Sequence, residues 1–207
     1  MNPYDLSHRP RATGNAEQIV QWVRQAQSGD REAFHRLADQ FQAEIFRMIY
    51  YRTRSRMDAE DLTQDVFLRA FKYIDRLVSP ELFRSWLYRI AVNRVRDHHR
   101  RQRIKSMFGL VSTDDEAFQE TEEMAVPPEA TRQMARSRFW DQVRDIMSHL
   151  PRMEREVFYL RFFDQLSIKE ITAAMQKNES TVKTHLYRAL NKVKAAAEAA
   201  GLGEDDL

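Results

Sequence analysis

Hydrophobic positions recur at three- and four-residue spacing through most of this 207-residue chain, the period of a helix with one buried stripe. Ile19, Val20 and Val23 predict a first helix, opened by Asn15 as N-cap and closed by Gly29 just past its end. Asp30 caps a second, on which Phe34, Leu37, Phe41, Ile45, Met48 and Ile49 share a face. A third is expected from near Asp58 to about Tyr73. On its helical wheel Leu62, Val66, Phe67, Ala70, Phe71 and Ile74 fall in one half-circle. Ser79-Pro80, a capping serine before a proline at the first helical position, starts a fourth helix that runs through Phe83, Trp86, Leu87 and Ile90 to about Arg103.

Further along, Phe139, Val143, Ile146, Met147 and Leu150 predict a helix stopped by Pro151, and Val157, Leu160 and Phe163 another. Ser167-Ile168-Lys169-Glu170 is a capping box, serine at N-cap and glutamate at N3. It opens a short helix to about Met175, followed by a polar turn at Gln176-Lys177-Asn178. A final helix starting at Ser180 carries Val182, Leu186, Ala189, Leu190 and Val193. A short capped helix, a tight turn and a second amphipathic helix is the helix-turn-helix layout. With Val182, Leu186, Ala189 and Val193 inward, the outward face carries Thr181, Lys183, Thr184, Arg188 and Lys192. Short hydroxyls and long cations near the start of such a helix suit phosphates and base edges in a major groove; an ordinary solvated face has the same pattern.

Composition supports the helical reading. Glycine (5) and proline (6) are scarce, too few for the frequent turns of sandwiches, barrels or Gly-rich nucleotide-binding folds. Residues 30–79 and 152–200 contain neither breaker, so the expected class is all-α, in two helical blocks. Cysteine is absent, which excludes disulfides, thiolate catalysis and Cys-based zinc sites. The six histidines form no HExxH pair, and there is no P-loop and no GxGxxG. No cofactor, metal site or catalytic constellation is expected. Residues 1–13 are polar and no apolar run reaches membrane-spanning length, so the expected location is the cytoplasm, with no membrane contact of its own.

The formal net charge of +2 conceals segregation. From Arg84 to Lys105 eight basic residues face Asp97 alone, and Ser85, Arg89, Asn93, Arg96 and Arg100 share an arc opposite Phe83, Leu87 and Ile90. Arg, Asn and Ser on one face take phosphates and base edges together. Nearby Tyr73, Phe83, Trp86 and Tyr88 either pack or stack on unpaired bases; Phe83 and Trp86 lie on the apolar side, so core is their expected role. On the third helix Asp61, Gln64, Asp65 and Leu68 form an acidic arc around an outward leucine, as a helix-docking surface would. Residues 113–129 hold seven carboxylates and no Lys or Arg, ending in Pro127-Pro128. That stretch reads as a flexible linker.

These residues carry a resemblance. Asp58-Ala-Glu-Asp-Leu-Thr-Gln-Asp-Val-Phe-Leu-Arg-Ala-Phe71 and Phe83-Arg-Ser-Trp-Leu-Tyr-Arg-Ile-Ala-Val-Asn93 are similar to region 2 of bacterial sigma factors. Leu150-Pro-Arg-Met-Glu-Arg-Glu-Val-Phe-Tyr-Leu-Arg161, with Leu166-Ser-Ile-Lys-Glu-Ile171 and Thr181-Val-Lys183, resembles region 4. Two such domains on a short linker resemble the extracytoplasmic-function (ECF) group of the sigma-70 family. The resemblance implies a region 2 domain over 15–104, an acidic linker over 105–133 and a region 4 domain over 134–199. It implies that Asp61, Gln64, Asp65 and Leu68 bind core RNA polymerase, whose β′ clamp and β flap are the expected contacts. Segment 75–81, with Arg76 and Ser79, and Arg89, Asn93, Arg96 and Arg100 would take the melted −10 element. Ser180, Thr181, Lys183, Thr184 and Arg188 would read the −35 element as duplex. An anti-sigma partner is also implied.

Two departures stand out. Leu77-Val78-Ser79-Pro80-Glu81 occupies a loop that is basic and Gly-containing in many relatives, and Gln176-Lys177 and Ser180 lack the usual glycines. The competing readings are a two-domain helix-turn-helix regulator that does not bind polymerase and a helical adaptor that binds only proteins. The acidic arc argues against the regulator, and the basic face against the adaptor.

Overall fold

A computed structural model describes residues 16–108 and 145–199. Asn15, the acidic stretch at 113–129, Phe139, Val143 and the tail after 199 lie outside the described residues. The chain separates into two compact units, one N-terminal and one built on the C-terminal helices. All regular structure among the described residues is helical.

The N-terminal unit starts with α1 (Ala16–Gln27), which buries Val23 and Ala26. Gly29 turns the chain at φ +95°, a conformation that strains any residue with a Cβ. Asp30 then caps α2 (Arg31–Thr53), its carboxylate accepting from the Ala33 N–H at 3.1 Å. The α2 stripe Phe34, Leu37, Phe41, Ile45, Met48 and Ile49 is buried as its spacing predicts. Each such side chain contributes about 1.5–3 kcal/mol of burial, so this stripe is the main anchor of the unit. α2 packs against both α1 and α3 (Arg56–Tyr73).

α3 begins two residues before the expected Asp58 because Ser55 supplies the cap, accepting from the Asp58 N–H at 3.1 Å. Leu62, Val66, Ala70 and Ile74 are buried, whereas Phe71, at the edge of the predicted half-circle, is 47% exposed and meets Phe34 edge-on at 5.0 Å. A 3₁₀ turn at Ile74–Arg76 follows, and a second at Pro80–Leu82 leads into α4 (Phe83–Met107). Ser79 and Pro80 thus start a 3₁₀ turn ahead of the helix proper, and the Ser79 side chain makes no capping bond. Phe83 and Trp86 are core, as expected.

In the C-terminal unit residues 145–149 are helical, and Met147 and Leu150 are buried before Pro151. α5 (Arg152–Phe158) widens into a π turn at Tyr159–Phe163, where the Asp164 N–H donates to the Tyr159 carbonyl at 3.0 Å. The widening changes the expected stripe: Leu160 is fully buried, Phe163 is half-buried, and Phe162 turns outward beside Phe158, ring centroids 4.6 Å apart. The capping box forms as read. The Ser167 N–H and hydroxyl both donate to Glu170 Oε2 at 2.8 Å, and Ser167 Oγ accepts from the Glu170 N–H at 3.3 Å. It opens α6 (Ile168–Met175), and α7 (Glu179–Ala199) returns to pack on α5. Met147, Leu150, Phe158, Tyr159 and Ala189 form the core here.

Candidate polymerase and nucleic-acid interfaces

The amphipathic register of α3 turns Asp61, Gln64 and Leu68 to solvent, Leu68 being 62% exposed. Asp65, expected on the same arc, is only half-exposed because its carboxylate reaches α4. There it forms an ion pair with Arg94, and it also meets Arg69 at 3.5 Å. Arg94 is 9% exposed and also faces Asp97 at 3.8 Å. Counted by sequence among the basic residues of α4, Arg94 is therefore a tie between α3 and α4 rather than part of the outer face. The wheel carries this signal: Arg94 falls on the stripe of Leu87 and Ala91, so a long cation there has to find a carboxylate.

α4 displays the predicted basic face with one change. Arg96 and Arg100 are exposed, and Arg89 and Asn93 are half-exposed. Ser85, expected on that arc, is 2% exposed and donates to the Leu82 carbonyl at 3.0 Å, closing the first turn of the helix. Asp97, the sole carboxylate of the stretch, lies against Arg100 at 3.6 Å as well as Arg94. His98 is mostly buried, 3.7 Å from Asp58, so it is neither a solvent-exposed residue nor an available phosphate contact. A second tie was not anticipated: Glu44 of α2 accepts from Arg84 Nε at 2.9 Å and from the Tyr88 hydroxyl at 2.8 Å. Tyr88 is thereby core and not a stacking platform. The segment before α4 is open, with Arg76 over the Tyr73 ring at 4.7 Å, Ser79 half-exposed and Val78 94% exposed.

In the C-terminal unit the turn between α6 and α7 works without glycine because Gln176 takes φ +52°. α7 starts at Glu179, one residue ahead of the expected Ser180. Asn178 is the cap, accepting from the Thr181 N–H at 2.8 Å and from the Ser180 hydroxyl at 3.1 Å. This register exposes Ser180, Lys183, Thr184 and Arg188, with Thr181 half-exposed. Glu179 lies beside Lys183 at 2.6 Å, and that hydrogen bond and charge hold its carboxyl below the usual carboxylate range. Lys192, expected on the outward face, instead donates to buried Glu154 of α5 at 2.7 Å. It pins the helix to its support while its side chain stays half exposed. Val182 and Ala189 are buried, while Leu186 and Val193 are half-buried.

No helix among the described residues is long and apolar enough to cross a membrane. The described residues contain no group of three or more His, Asp or Glu placed to hold a metal ion.

Comparison with known proteins matches two separate stretches of the chain. The family model Sigma-70 region 2 matches residues 37–104, and the model Sigma-70, region 4 matches residues 140–193. The chain is 35% identical over 184 residues to the ECF RNA polymerase sigma factor BldN of Streptomyces coelicolor, covering 88% of this chain and 67% of that one. It is 28% identical over 183 residues to the RNA polymerase sigma-H factor of Pseudomonas aeruginosa, covering 88% and 95%. Among solved structures, that of CnrH in complex with the cytosolic domain of CnrY shares the fold, with a TM-score of 0.63 at 23% identity over 88% of this chain and 98% of that one. The reading as a regulator that ignores polymerase is not favoured by these relatives. With α3 and most of α4 inside the first match and most of the helix-turn-helix inside the second, the chain belongs to the sigma-70 family of RNA polymerase sigma factors, in its extracytoplasmic-function group.

Proposed function

We propose that this sigma factor divides its work by face. Asp61, Gln64 and Leu68, with Asp65 at their edge, dock on the β′ clamp of core RNA polymerase. Arg89, Asn93, Arg96 and Arg100, with Arg76 and Ser79 of the preceding segment, hold the melted −10 strand. Ser180, Thr181, Lys183, Thr184 and Arg188 read the −35 element in the major groove, with the β flap beside that unit. The region 2 domain spans 15–104, the acidic linker 105–133 and the region 4 domain 134–199. The chain acts in the cytoplasm and supplies no catalytic group of its own. A protein that masks these faces, as an anti-sigma factor does, controls it.

The observation that carries this reading is the pairing of two unlike surfaces on adjacent helices. An outward acidic and apolar arc on α3 stands next to a cationic face on α4 whose one carboxylate is held by two arginines. The division has a physical basis. Unstacking a base costs a few kcal/mol, repaid by contacts from a rigid helix, whereas a duplex element suits a helix laid in the groove.

Reconstitution tests it. Core RNA polymerase plus this chain is expected to initiate from promoters that the pair selects out of a randomised duplex library, and core enzyme alone is not. Arg89→Ala and Arg96→Ala should each keep polymerase binding and lower open-complex formation about tenfold, the loss of one charge-assisted contact. Folded chain that fails to co-purify with polymerase overturns the reading.

A further inference from the structure

We infer that Gln27 is a positioning residue for the segment at 77–82, fixing the shape in which it meets the −10 strand; this rests on the −10 reading above. Gln27 is the last residue of α1, some fifty positions from the segment in sequence. Its side-chain amide donates to the Ile74 carbonyl at 3.0 Å and to the Leu77 carbonyl at 2.7 Å. The first carbonyl belongs to the opening residue of the 3₁₀ turn at Ile74–Arg76 and the second to the residue that follows it. The Ile74 carbonyl also accepts the Leu77 N–H at 3.1 Å, so both of its lone pairs are used. A glutamine amide has two N–H donors and the loop presents two acceptors, a match that a carboxylate or an apolar side chain lacks.

The far end of the segment is held locally, the Leu82 N–H donating to the Ser79 carbonyl at 2.9 Å and the Ser85 hydroxyl to the Leu82 carbonyl at 3.0 Å, whereas the Leu77 end is held to α1 by Gln27. Ser79 makes no capping bond. Arg24, one turn earlier on α1, faces Glu81 at 3.8 Å, but both side chains are well exposed, and such pairs hold weakly. Burial then divides the loop in a telling way. Ile74 and Leu77 are 5% and 7% exposed, while Val78 is 94% and Leu82 51% exposed. The anchored end is bonded to α1, and the apolar middle is displayed to solvent. Val78 makes little packing contact of its own, so the conformation of the segment rests on its backbone bonds. A loop ordered beforehand binds more tightly than one that must be ordered on contact. Gln27 supplies that order from outside the loop.

The test uses the full chain, core RNA polymerase, and a promoter selected by the wild-type pair from a randomised duplex library. Gln27→Met keeps the length of the side chain and removes both donors; Gln27→Lys returns donors at that reach. Gln27→Met should bind core polymerase and the −35 duplex as the wild type does. It should bind the single-stranded −10 oligonucleotide of that promoter, as holoenzyme, about fivefold to tenfold more weakly, with recovery in Gln27→Lys. Hydrogen exchange at the Leu77 and Leu82 amides should quicken in Gln27→Met while α2 stays protected, a readout independent of DNA. Unchanged oligonucleotide affinity, unchanged exchange at Leu77, or an equal loss of polymerase binding overturns the inference. A wild-type chain that selects no promoter overturns the −10 reading, and this inference with it.

Discussion

The two helices that carry the cationic faces, α4 and α7, are placed by different kinds of contact. α4 is tied from a distance: Arg94 to Asp65 on α3, Arg84 and Tyr88 to Glu44 on α2, and the segment before it to Gln27 on α1. α7 packs its apolar stripe on α5, but the hydrogen bonds that set its start come from neighbours in sequence. Asn178 caps it three residues from Thr181, and the capping box of Ser167 and Glu170 sets the helix before it. Lys192 to Glu154 is its distant tie. In the N-terminal unit, then, several charges on helix faces are shared with the packing between helices. In the C-terminal unit the binding face and the supporting contacts are largely separate residues.

Substitutions can break or sharpen that contrast. The largest effect is expected from Asp61→Lys, which reverses charge on a side chain of α3 that is exposed. Binding to core polymerase should fall about a hundredfold, since opposed like charges cost several kcal/mol, with the denaturation midpoint unchanged. A shifted midpoint would mean that Asp61, like Asp65, is part of the helix packing.

Next in size is Arg94→Met. It leaves Asp65 without its α4 partner and should lower the unfolding free energy by about 2 kcal/mol in urea titration. The loss is smaller than for a fully buried pair because Asp65 is one-third exposed and keeps Arg69. Asp65→Asn should cost less, because Arg94 keeps Asp97. An Arg94→Met protein as stable as the wild type but deficient in promoter opening would add Arg94 to the DNA face.

In the other unit Asn178→Ala should cost about 1 kcal/mol, the usual value of an N-cap. It should also weaken −35 duplex binding through fraying of the turn that holds Ser180 and Thr181, leaving binding of the −10 oligonucleotide unchanged. The smallest effect expected is a gain. Gln165 holds φ +56° between α5 and α6, where a side chain is strained, so Gln165→Gly should raise stability by about 0.5–1 kcal/mol. A loss of stability there would show that the Gln165 side chain makes contacts worth more than the strain.

Much of the molecule was readable from the chain, and the readable parts share a property. The α2 stripe, the capping box at Ser167, the cap at Asp30 and the glycine turn at Gly29 all depend on residues within a few positions of each other. The acidic arc of α3 followed from periodicity for the same reason. What failed to show depends on which helices meet. Ser85 and Lys192 fall on outer faces by wheel position, yet Ser85 turns inward and Lys192 reaches a partner on α5, and Arg94, one of the eight basic residues of the stretch, is taken up by Asp65. The start of α7 moved by one residue because Asn178 outcompeted Ser180 as cap, a choice between adjacent polar residues that spacing alone does not make.

The sequence by itself determined that the chain is helical, that it carries two motif-bearing blocks, and that opposite charges are segregated along it. Helical period and caps are local properties, and the family motifs are strings of adjacent residues. Only the tertiary structure decided which charges remain for a partner. A long side chain on a helix reaches several ångströms, and whether it meets solvent or a carboxylate forty residues away depends on the helix packed beside it. Asp61 and Arg96 face outward while Asp65 and Arg94 face each other, and the +2 total conceals that difference.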